Sequence, residues 1–293
     1  MASPLARWLH YGLTALVFSA LISCSMQKML VRQMEPVVQN SAQALYEEDD
    51  LQIAEQSLAS NLKLIDGLLK SDPQNEELLL LAAQGYAGYA LAFAEDKDPQ
   101  RAQKLYLRAR DYALKILRKD KRFKQAEQQG DLELQRVVDQ YGKNKSAALF
   151  WAGFSWAGYA LLSMDDPQAL ADFATIKIFM HRVEEINPEY FHGAVWLFWG
   201  AYYGMIPGML GGDPAKSLQY FERNIRLNHG NFLLAYVYAA RFYAAKILNE
   251  KKFDEYLDHI EKTPSDIEKK LTFLNRVAKQ KARLLKQQKG ELF

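Results

Sequence analysis

The chain has 293 residues, of which 49% are hydrophobic, and its 37 Lys and Arg against 35 Asp and Glu give a formal net charge of +2. A surface so close to neutral argues against nucleic acid as a main partner, and the length is ample for a large hydrophobic core. The single cysteine, Cys24, excludes an internal disulfide, so packing alone must stabilise the fold.

The N-terminal residues 1–23 have the layout of a secretory signal peptide. Arg7 lies in a short polar start, and the apolar run Leu13–Ile22 is about half the roughly 20 residues that a membrane-spanning helix needs. The sequence Leu21-Ile22-Ser23-Cys24 resembles the lipobox of bacterial lipoproteins, which implies cleavage before Cys24 and acylation of its thiol and new amino group. A free cysteine in an ordinary secretory signal is the alternative.

Lipidation at Cys24 decides where the protein is expected to reside. Three acyl chains exceed the two signals needed for stable anchoring, so we expect a protein that is tethered to a membrane but otherwise soluble. Ser25 follows the cysteine, where an Asp would resemble the inner-membrane retention signal. We therefore predict anchoring to the outer membrane, facing the periplasm, with inner-membrane anchoring less favoured. The predicted domains are a signal peptide (1–23), a lipidated N-terminus and tether (24–45) and a single helical domain (46–288).

The rest of the chain is patterned for helices throughout. Runs rich in Ala, Leu, Glu, Lys and Gln alternate with brief Asp-Pro, Asn-Pro and Gly breaks, and no convincing period-two alternation predicts a strand. Because Asp or Asn can cap the first turn of a helix and proline fits its first position, these pairs predict helix boundaries. They are Asp72-Pro73, Asp98-Pro99, Asp166-Pro167, Asn187-Pro188 and Asp213-Pro214.

Four segments of aromatic and small residues resemble one another. Leu78–Phe93 and Ala147–Leu162 both contain Ala-Gly-Tyr-Ala-Leu, seventy residues apart, and Val195–Leu210 and Phe232–Ala245 are looser copies. Seventy is close to twice the roughly 34-residue period of tetratricopeptide helix pairs. The sequence therefore predicts an all-α fold, a tetratricopeptide-like α-solenoid of about four irregular helix pairs, with residues 266–288 as its C-terminal capping helix.

Little in the sequence is typical of an active site. The common nucleophile, phosphate-loop, dinucleotide and zinc-protease motifs do not occur, and we predict neither enzyme activity nor a cofactor. His181 and Glu184 lie three residues apart on a predicted helix and could share a metal ion. With no third ligand in view, we predict no metal site.

Aromatic residues form the more informative cluster. Four of the five tryptophans fall close together in the chain, joined by tyrosines, and on a concave helical surface such residues could line a pocket for an apolar ligand. The other interpretation, that they fill the core between repeats, stays open. The predicted ligand cavity consists of Trp151, Trp156, Trp196, Trp199, Tyr202 and Tyr203.

The most unusual local sequence is the glycine-rich stretch that starts at Gly204. Its glycines permit close approach of the backbone, and the Asp that follows is expected to cap the next helix. Two interpretations stay open: a tight turn between helices, and a loop that presents backbone amides to a ligand or partner. The residues that define this loop are Pro207, Gly208, Gly211, Gly212 and Asp213.

The same loop carries a family resemblance. Met205–Ser217, followed by Tyr220–Arg223, resembles the signature of the T component of tripartite ATP-independent periplasmic (TRAP) transporters, the TatT family. Ser217 stands where that block usually has Ala. Gly230–Ala244 and Phe253–Leu257 are similar to the blocks that follow it.

The resemblance covers roughly residues 30–285, and its specific part is 196–260. It implies a periplasmic lipoprotein with a tetratricopeptide-like fold that associates with the substrate-binding P subunit of a TRAP system. Such a protein would assist uptake of an organic solute, with a hydrophobic one among the candidates, and the family supplies no catalytic residue. The alternative function is a tetratricopeptide lipoprotein scaffold for envelope or pilus assembly. Self-association into a homo-oligomer is left open.

Overall fold

A computed structural model of the chain describes residues 28–293. The predicted signal peptide and Cys24 lie outside the described residues. Between residues 28 and 293 the secondary structure is helical throughout and contains no strand, which confirms the predicted all-α class.

The helices are numbered here in chain order. Those of the first half are α1 (28–46), α2 (Leu51–Ser71), α3 (Glu76–Tyr89), α4 (Pro99–Leu117), α5 (Lys121–Gln129), α6 (Asp131–Val138) and α7 (Ser146–Leu161). Those of the second half are α8 (Pro167–Ala171), α9 (Phe173–Ile186), α10 (Tyr190–Met205), α11 (Pro214–Leu227), α12 (Leu234–Ala239), α13 (Glu250–Lys262), α14 (Thr272–Gln287) and α15 (Lys289–Leu292). Two π-helical turns extend α3 and α12, namely Ala90–Ala94 and Ala240–Ala244.

The Asp-Pro and Asn-Pro pairs lie at helix boundaries, as predicted. Asp98, Asp166 and Asp213 each accept backbone N–H groups of a helix whose first residue is proline. Asp72 and Asn187 instead stand at the C-terminal ends of α2 and α9. Both kinds of boundary carry the same pair because the residue before proline is disfavoured in the helical conformation.

Part of the predicted tether is helical. Residues 28–46 form α1, which buries Val31 and Val38 against the core. At its end, the Tyr46 hydroxyl accepts a hydrogen bond of 2.6 Å from the Gln84 side-chain amide on α3. The N-terminal helix is therefore packed as part of the folded body.

The two ends of the described chain meet. Most successive helices contact one another along the chain, and α14 packs against α2. The rings of Phe273 and Phe93 lie 6.0 Å apart, centroid to centroid, and Arg276 forms an ion pair with Asp49. The helices are thereby arranged around an interior that helices from both ends of the chain enclose.

A continuous hydrophobic core runs through the described residues, and aromatic side chains such as Tyr106, Phe150 and Phe221 are fully buried in it. Burial of a side chain of this size stabilises the fold by roughly 1.5–3 kcal/mol. Within residues 28–293, one stretch, Glu76–Ala94, is long and apolar enough to cross a membrane, and most of it is buried inside the protein. This burial is what the central helix of a helical core requires.

The terminal helix begins later than predicted. The sequence places its start at Ser265 or Asp266, whereas α14 begins at Thr272, so that prediction is wrong. The reason is the buried side chain of Asn275, which donates a hydrogen bond of 3.2 Å to the carbonyl oxygen of Ser265 and accepts one of 3.0 Å from the Leu233 N–H. The hydrogen bond from Asn275 holds the segment before α14 against the side of the helix's first turn, so this segment does not continue the helix.

Candidate functional site

A partly open cavity lies at the centre of the protein. Its volume is about 160 Å³. Helices α1, α2, α3, α4, α7, α9, α10, α12 and α14 all contribute to its wall, which is mostly apolar. The aromatic part of this wall includes Trp151, Phe154, Phe191, Phe198, Phe232, Phe242 and Phe273.

The repeated segments explain why there is space at the centre. Gly88 and Leu91 of the first copy line the cavity, and so do Gly158 and Leu161, which occupy the same two places in the second copy. Small residues at matching positions of two facing segments leave room that larger side chains would fill. The shared Ala-Gly-Tyr-Ala-Leu sequence is therefore connected directly to the cavity.

The six aromatic residues predicted to form a ligand cavity are divided between two environments. Trp151 and Tyr202 are in the cavity wall. The indole N–H of Trp151 donates a hydrogen bond of 2.9 Å to the Tyr190 hydroxyl, which satisfies the polar atom of a nearly fully buried ring.

The other four are outside the described cavity wall and pack between helices. Trp156 donates a hydrogen bond of 2.7 Å to a carboxylate next to α9, and Trp196 lies beneath an arginine of α11 at 4.2 Å. Trp199 and Tyr203 stack with Tyr220 at centroid distances of 6.3 and 5.9 Å. Their visible role is to join α7 to α9 and α10 to α11.

The cavity wall also contains a strained turn that no sequence pattern predicts. Phe191, His192 and Gly193, at the start of α10, all have positive φ angles of 47°, 60° and 67°. For residues with a Cβ this conformation costs about 1–2 kcal/mol each. The buried side chain of Asn224 compensates by donating hydrogen bonds of 2.8 and 2.9 Å to the carbonyl oxygens of His192 and Gly193. The turn places Phe191 in the cavity wall, with its ring centroid 4.8 Å from that of Trp151.

The glycine-rich loop between α10 and α11 is folded tightly on itself. The Gly212 N–H donates a hydrogen bond of 3.1 Å to the Pro207 carbonyl oxygen, and Gly211 has a φ angle of 98°. A Cβ on Gly212 would overlap the carbonyl oxygen of Ile206. Asp213 then accepts two backbone N–H groups of α11, at 3.0 and 3.1 Å. These contacts are those of a tight turn, whose glycines are needed for close approach and positive φ.

Charged residues stand in one part of the otherwise apolar wall. We call Glu95, Asp96, Arg241 and Lys281 the charged cluster. The Lys281 ammonium donates hydrogen bonds of 2.8 Å to both carboxylates, and its side chain is only 6% exposed. Glu95 also accepts a hydrogen bond of 2.7 Å from the Tyr106 hydroxyl. Three of the four charged residues, Glu95, Arg241 and Lys281, line the cavity directly.

Two tyrosines next to the charged cluster are held in their protonated form. Burial, reinforced by the negative charge of Glu95, raises the pKa of Tyr106 and of Tyr238 well above the ordinary value for a phenol. Both hydroxyls therefore remain hydrogen-bond donors at neutral pH. Tyr238 lines the cavity as well.

The cavity predicted from the sequence did not include the charged cluster or most of the residues that form the wall. The positions of Tyr238, Arg241 and Lys281 in the wall depend on the meeting of the chain ends, which no local pattern encodes. The one available signal is Arg241 itself, a charge inside the apolar segment Phe232–Ala245.

The pair that could have shared a metal ion has other partners. His181 is exposed and lies 3.5 Å from Glu185, while Glu184 lies 3.4 Å from Arg223. Burial raises the pKa of Glu184. Within residues 28–293, no group of three His, Cys, Asp or Glu side chains is arranged to hold a metal.

Fold and site together define an all-helical protein with an internal apolar cavity of a size suited to a small ligand. The chain belongs to the family of the TRAP transporter T-component, TAtT, whose family model matches residues 47–293. An uncharacterized protein of Treponema pallidum (strain Nichols) is 30% identical, over 72% of this chain and 71% of that relative. The family resemblance of the sequence is thereby confirmed, and with it an accessory role in TRAP transport. The comparisons give no support to the alternative of an envelope or pilus assembly scaffold.

Proposed function

We propose that the cavity binds an apolar organic solute, and that the protein associates through its family role with the periplasmic substrate-binding P subunit of a TRAP transporter. The largely apolar central cavity is the observation that carries this proposal, because a concave, mostly apolar space is the usual form of a small-molecule site. In this proposal the chain is not an enzyme. It presents the solute to the partner that delivers it to the membrane subunits.

The proposed placement is a lipid anchor at Cys24 in the outer membrane, with the folded body facing the periplasm. The Leu21-Ile22-Ser23-Cys24 pattern supports it. In this arrangement residues 46–288 form a single tetratricopeptide-like helical domain, to which α1 adds a packed N-terminal helix. The lipid anchor would hold the folded body, and with it the cavity, near the membrane surface, and the polypeptide would not span the membrane.

The partner is tested by mild crosslinking in cells, followed by purification of the tagged protein and mass spectrometry. We expect a periplasmic solute-binding subunit of a TRAP system to be recovered with the wild-type chain. Cys24→Ser should leave the protein in the soluble or uncleaved fraction. Recovery of envelope or pilus assembly proteins in place of a TRAP subunit would contradict the proposed partner, and a cleaved, membrane-bound Cys24→Ser variant would contradict the anchor.

The solute site is tested by filling the cavity. Gly88 lines the cavity and no atom lies within 4 Å of the Cβ that a substitution would add, so Gly88→Leu should project a side chain into the empty space. We expect this variant to bind a neutral apolar fluorescent probe such as N-phenylnaphthylamine at least about tenfold more weakly than the wild type, since the space itself is the site.

The matched control is Gly67→Leu, because Gly67 on α2 is exposed and its added Cβ also meets no atom within 4 Å. Both variants should keep the wild-type circular dichroism spectrum. Equal probe binding by wild type, Gly88→Leu and Gly67→Leu would show that the probe binds elsewhere and that the cavity is not the site.

A further inference from the structure

The charged cluster makes the cavity chemically asymmetric. Most of the wall is apolar, yet Glu95, Arg241 and Lys281 all face the cavity from one part of it. A charge beside an apolar space is costly unless a partner of opposite charge or a set of hydrogen bonds compensates it. The state of each polar atom in this part of the wall therefore indicates what a ligand would have to supply.

The acceptors of the charged cluster are already used. One Glu95 oxygen accepts from Lys281 at 2.8 Å and the other accepts from Tyr106 at 2.7 Å. Asp96 accepts from Lys281 at 2.8 Å. Both oxygens of Glu95, the carboxylate of the charged cluster that lines the cavity, are thus occupied by donors of the protein itself.

The donors are not all used. The Arg241 guanidinium forms an ion pair with Glu95 at 3.9 Å and lies 5.1 Å from the Phe242 ring centroid, but it makes no hydrogen bond within residues 28–293. The Tyr238 hydroxyl likewise has none within that range, and it lies one helical turn before Arg241. Lys281 uses one donor for each carboxylate and has a third. The hydrogen-bonding capacity that remains open towards the cavity is therefore that of donors, two of them positively charged.

Two irregular turns of the backbone also lie at the charged cluster. Glu95 directly follows the π-helical turn Ala90–Ala94, and Arg241 is the second residue of the other π-helical turn, Ala240–Ala244. Such turns inside helices are frequent at functional sites. Leu91 is the second residue of the first turn and also lines the cavity, so an arginine stands where the related segment has a leucine.

We infer that the cavity takes a single-chain anionic amphiphile, whose head is bound by Arg241 and Tyr238 at the charged cluster and whose apolar chain occupies the rest of the space. The inference rests on the proposed function, of which it names the solute class. An anionic head gives the guanidinium a charge-assisted hydrogen bond, which Glu95 at 3.9 Å does not make. The apolar chain matches the remainder of the wall, from Gly88 and Leu91 to Phe273.

The experiment compares ligands that differ only in their head. The purified lipid-anchored protein is placed in nanodiscs of zwitterionic lipid, and empty nanodiscs measure partition into the lipid. Dissociation constants are then determined for dodecanoate, dodecanol and dodecylamine. We expect the wild type to bind dodecanoate at least about tenfold more tightly than dodecanol. A carboxylate and a phosphate share the same recognition chemistry, so dodecyl phosphate measured alongside shows which of the two heads is preferred.

The variants assign that preference to residues. Arg241→Leu installs the residue found in the related segment and should abolish the preference for dodecanoate while dodecanol binding is retained. Tyr238→Phe removes only a hydroxyl group and should reduce the preference severalfold. If Arg241→Leu does not fold, Arg241→Gln keeps a polar side chain at this partly exposed position, where the arginine side chain is 41% exposed, and replaces it in the test.

The possible outcomes separate this inference from the proposed function. Tight dodecanol binding with no preference for dodecanoate would overturn the inference and leave the apolar site standing. An unchanged preference in Arg241→Leu or Arg241→Gln would also overturn it, and a preference for dodecylamine would assign the head to Glu95. Binding of none of the three ligands would contradict the proposed function together with the inference.

Discussion

Gly204→Ala is expected to lower the free energy of unfolding by about 3 kcal/mol or more, at the upper end of what overpacking costs. Gly204 is near the end of α10, where an added Cβ would overlap the carbonyl oxygen of Phe242 and lie 2.8 Å from the Ser217 hydroxyl. The Phe242 carbonyl oxygen is a backbone atom, so a change of side-chain rotamer cannot relieve the overlap. Helix α10 and the π-helical turn Ala240–Ala244 would have to separate, which also disturbs the cavity wall.

Urea unfolding followed by circular dichroism measures this effect. The control is Gly67→Ala in α2, where the added Cβ meets no atom within 4 Å. Because alanine is the better helix former, Gly67→Ala should stabilise the protein by about 0.5–1 kcal/mol. The two substitutions should thus differ in sign, and a Gly204→Ala variant as stable as the wild type would disprove the close packing of α10 on the π-helical turn.

Lys281→Met is expected to destabilise the protein by about 3 kcal/mol, because removal of one partner leaves buried charges without compensation. The lysine side chain is 6% exposed, and it joins α14 to Glu95 and Asp96 at the end of α3. Methionine has a similar length and fills the same space, so the decrease in the free energy of unfolding arises mainly from removal of the positive charge. Urea unfolding measures it directly.

A surface lysine on the same helix provides the comparison. Lys286 lies 3.6 Å from Glu261, with both side chains mostly exposed, and Lys286→Met should leave the free energy of unfolding almost unchanged. The double variant Glu95→Gln, Lys281→Met should lose less than the sum of the two single variants, because they share one interaction. Strict additivity would show that Lys281 and Glu95 do not stabilise the protein through each other.

The local features of this fold could be predicted from the sequence. Asp98, Asp166 and Asp213 mark helix starts because capping and the restriction before proline act within a few residues. The similarity between Leu78–Phe93 and Ala147–Leu162 is also a local feature of the sequence. Each copy has small residues at matching positions, and these pack in the same way. Family membership was readable from a continuous block of sequence.

The cavity could be predicted only in part, because its wall is assembled from distant elements. Trp151 and Tyr202 were singled out for their residue type and do line it, while Trp199 has the same type and packs elsewhere. Residue type reports that a ring will be buried. Which rings face one another depends on the pairing of α14 with α2 and on the strained turn at Phe191, and both are set by tertiary contacts.

The meeting of the chain ends also predicts an order of assembly. Arg276 and Asp49 are 227 residues apart in sequence, so their contact closes a loop that includes nearly the whole protein. The entropy lost on closing so long a loop is recovered only when the intervening helices are already in place. We therefore expect the central cavity to be among the last features to form during folding. We expect a chain that ends before α14 to retain the contacts between neighbouring helices and to have an open groove in place of the cavity, because Phe273, Leu274 and Val277 of α14 form part of the wall.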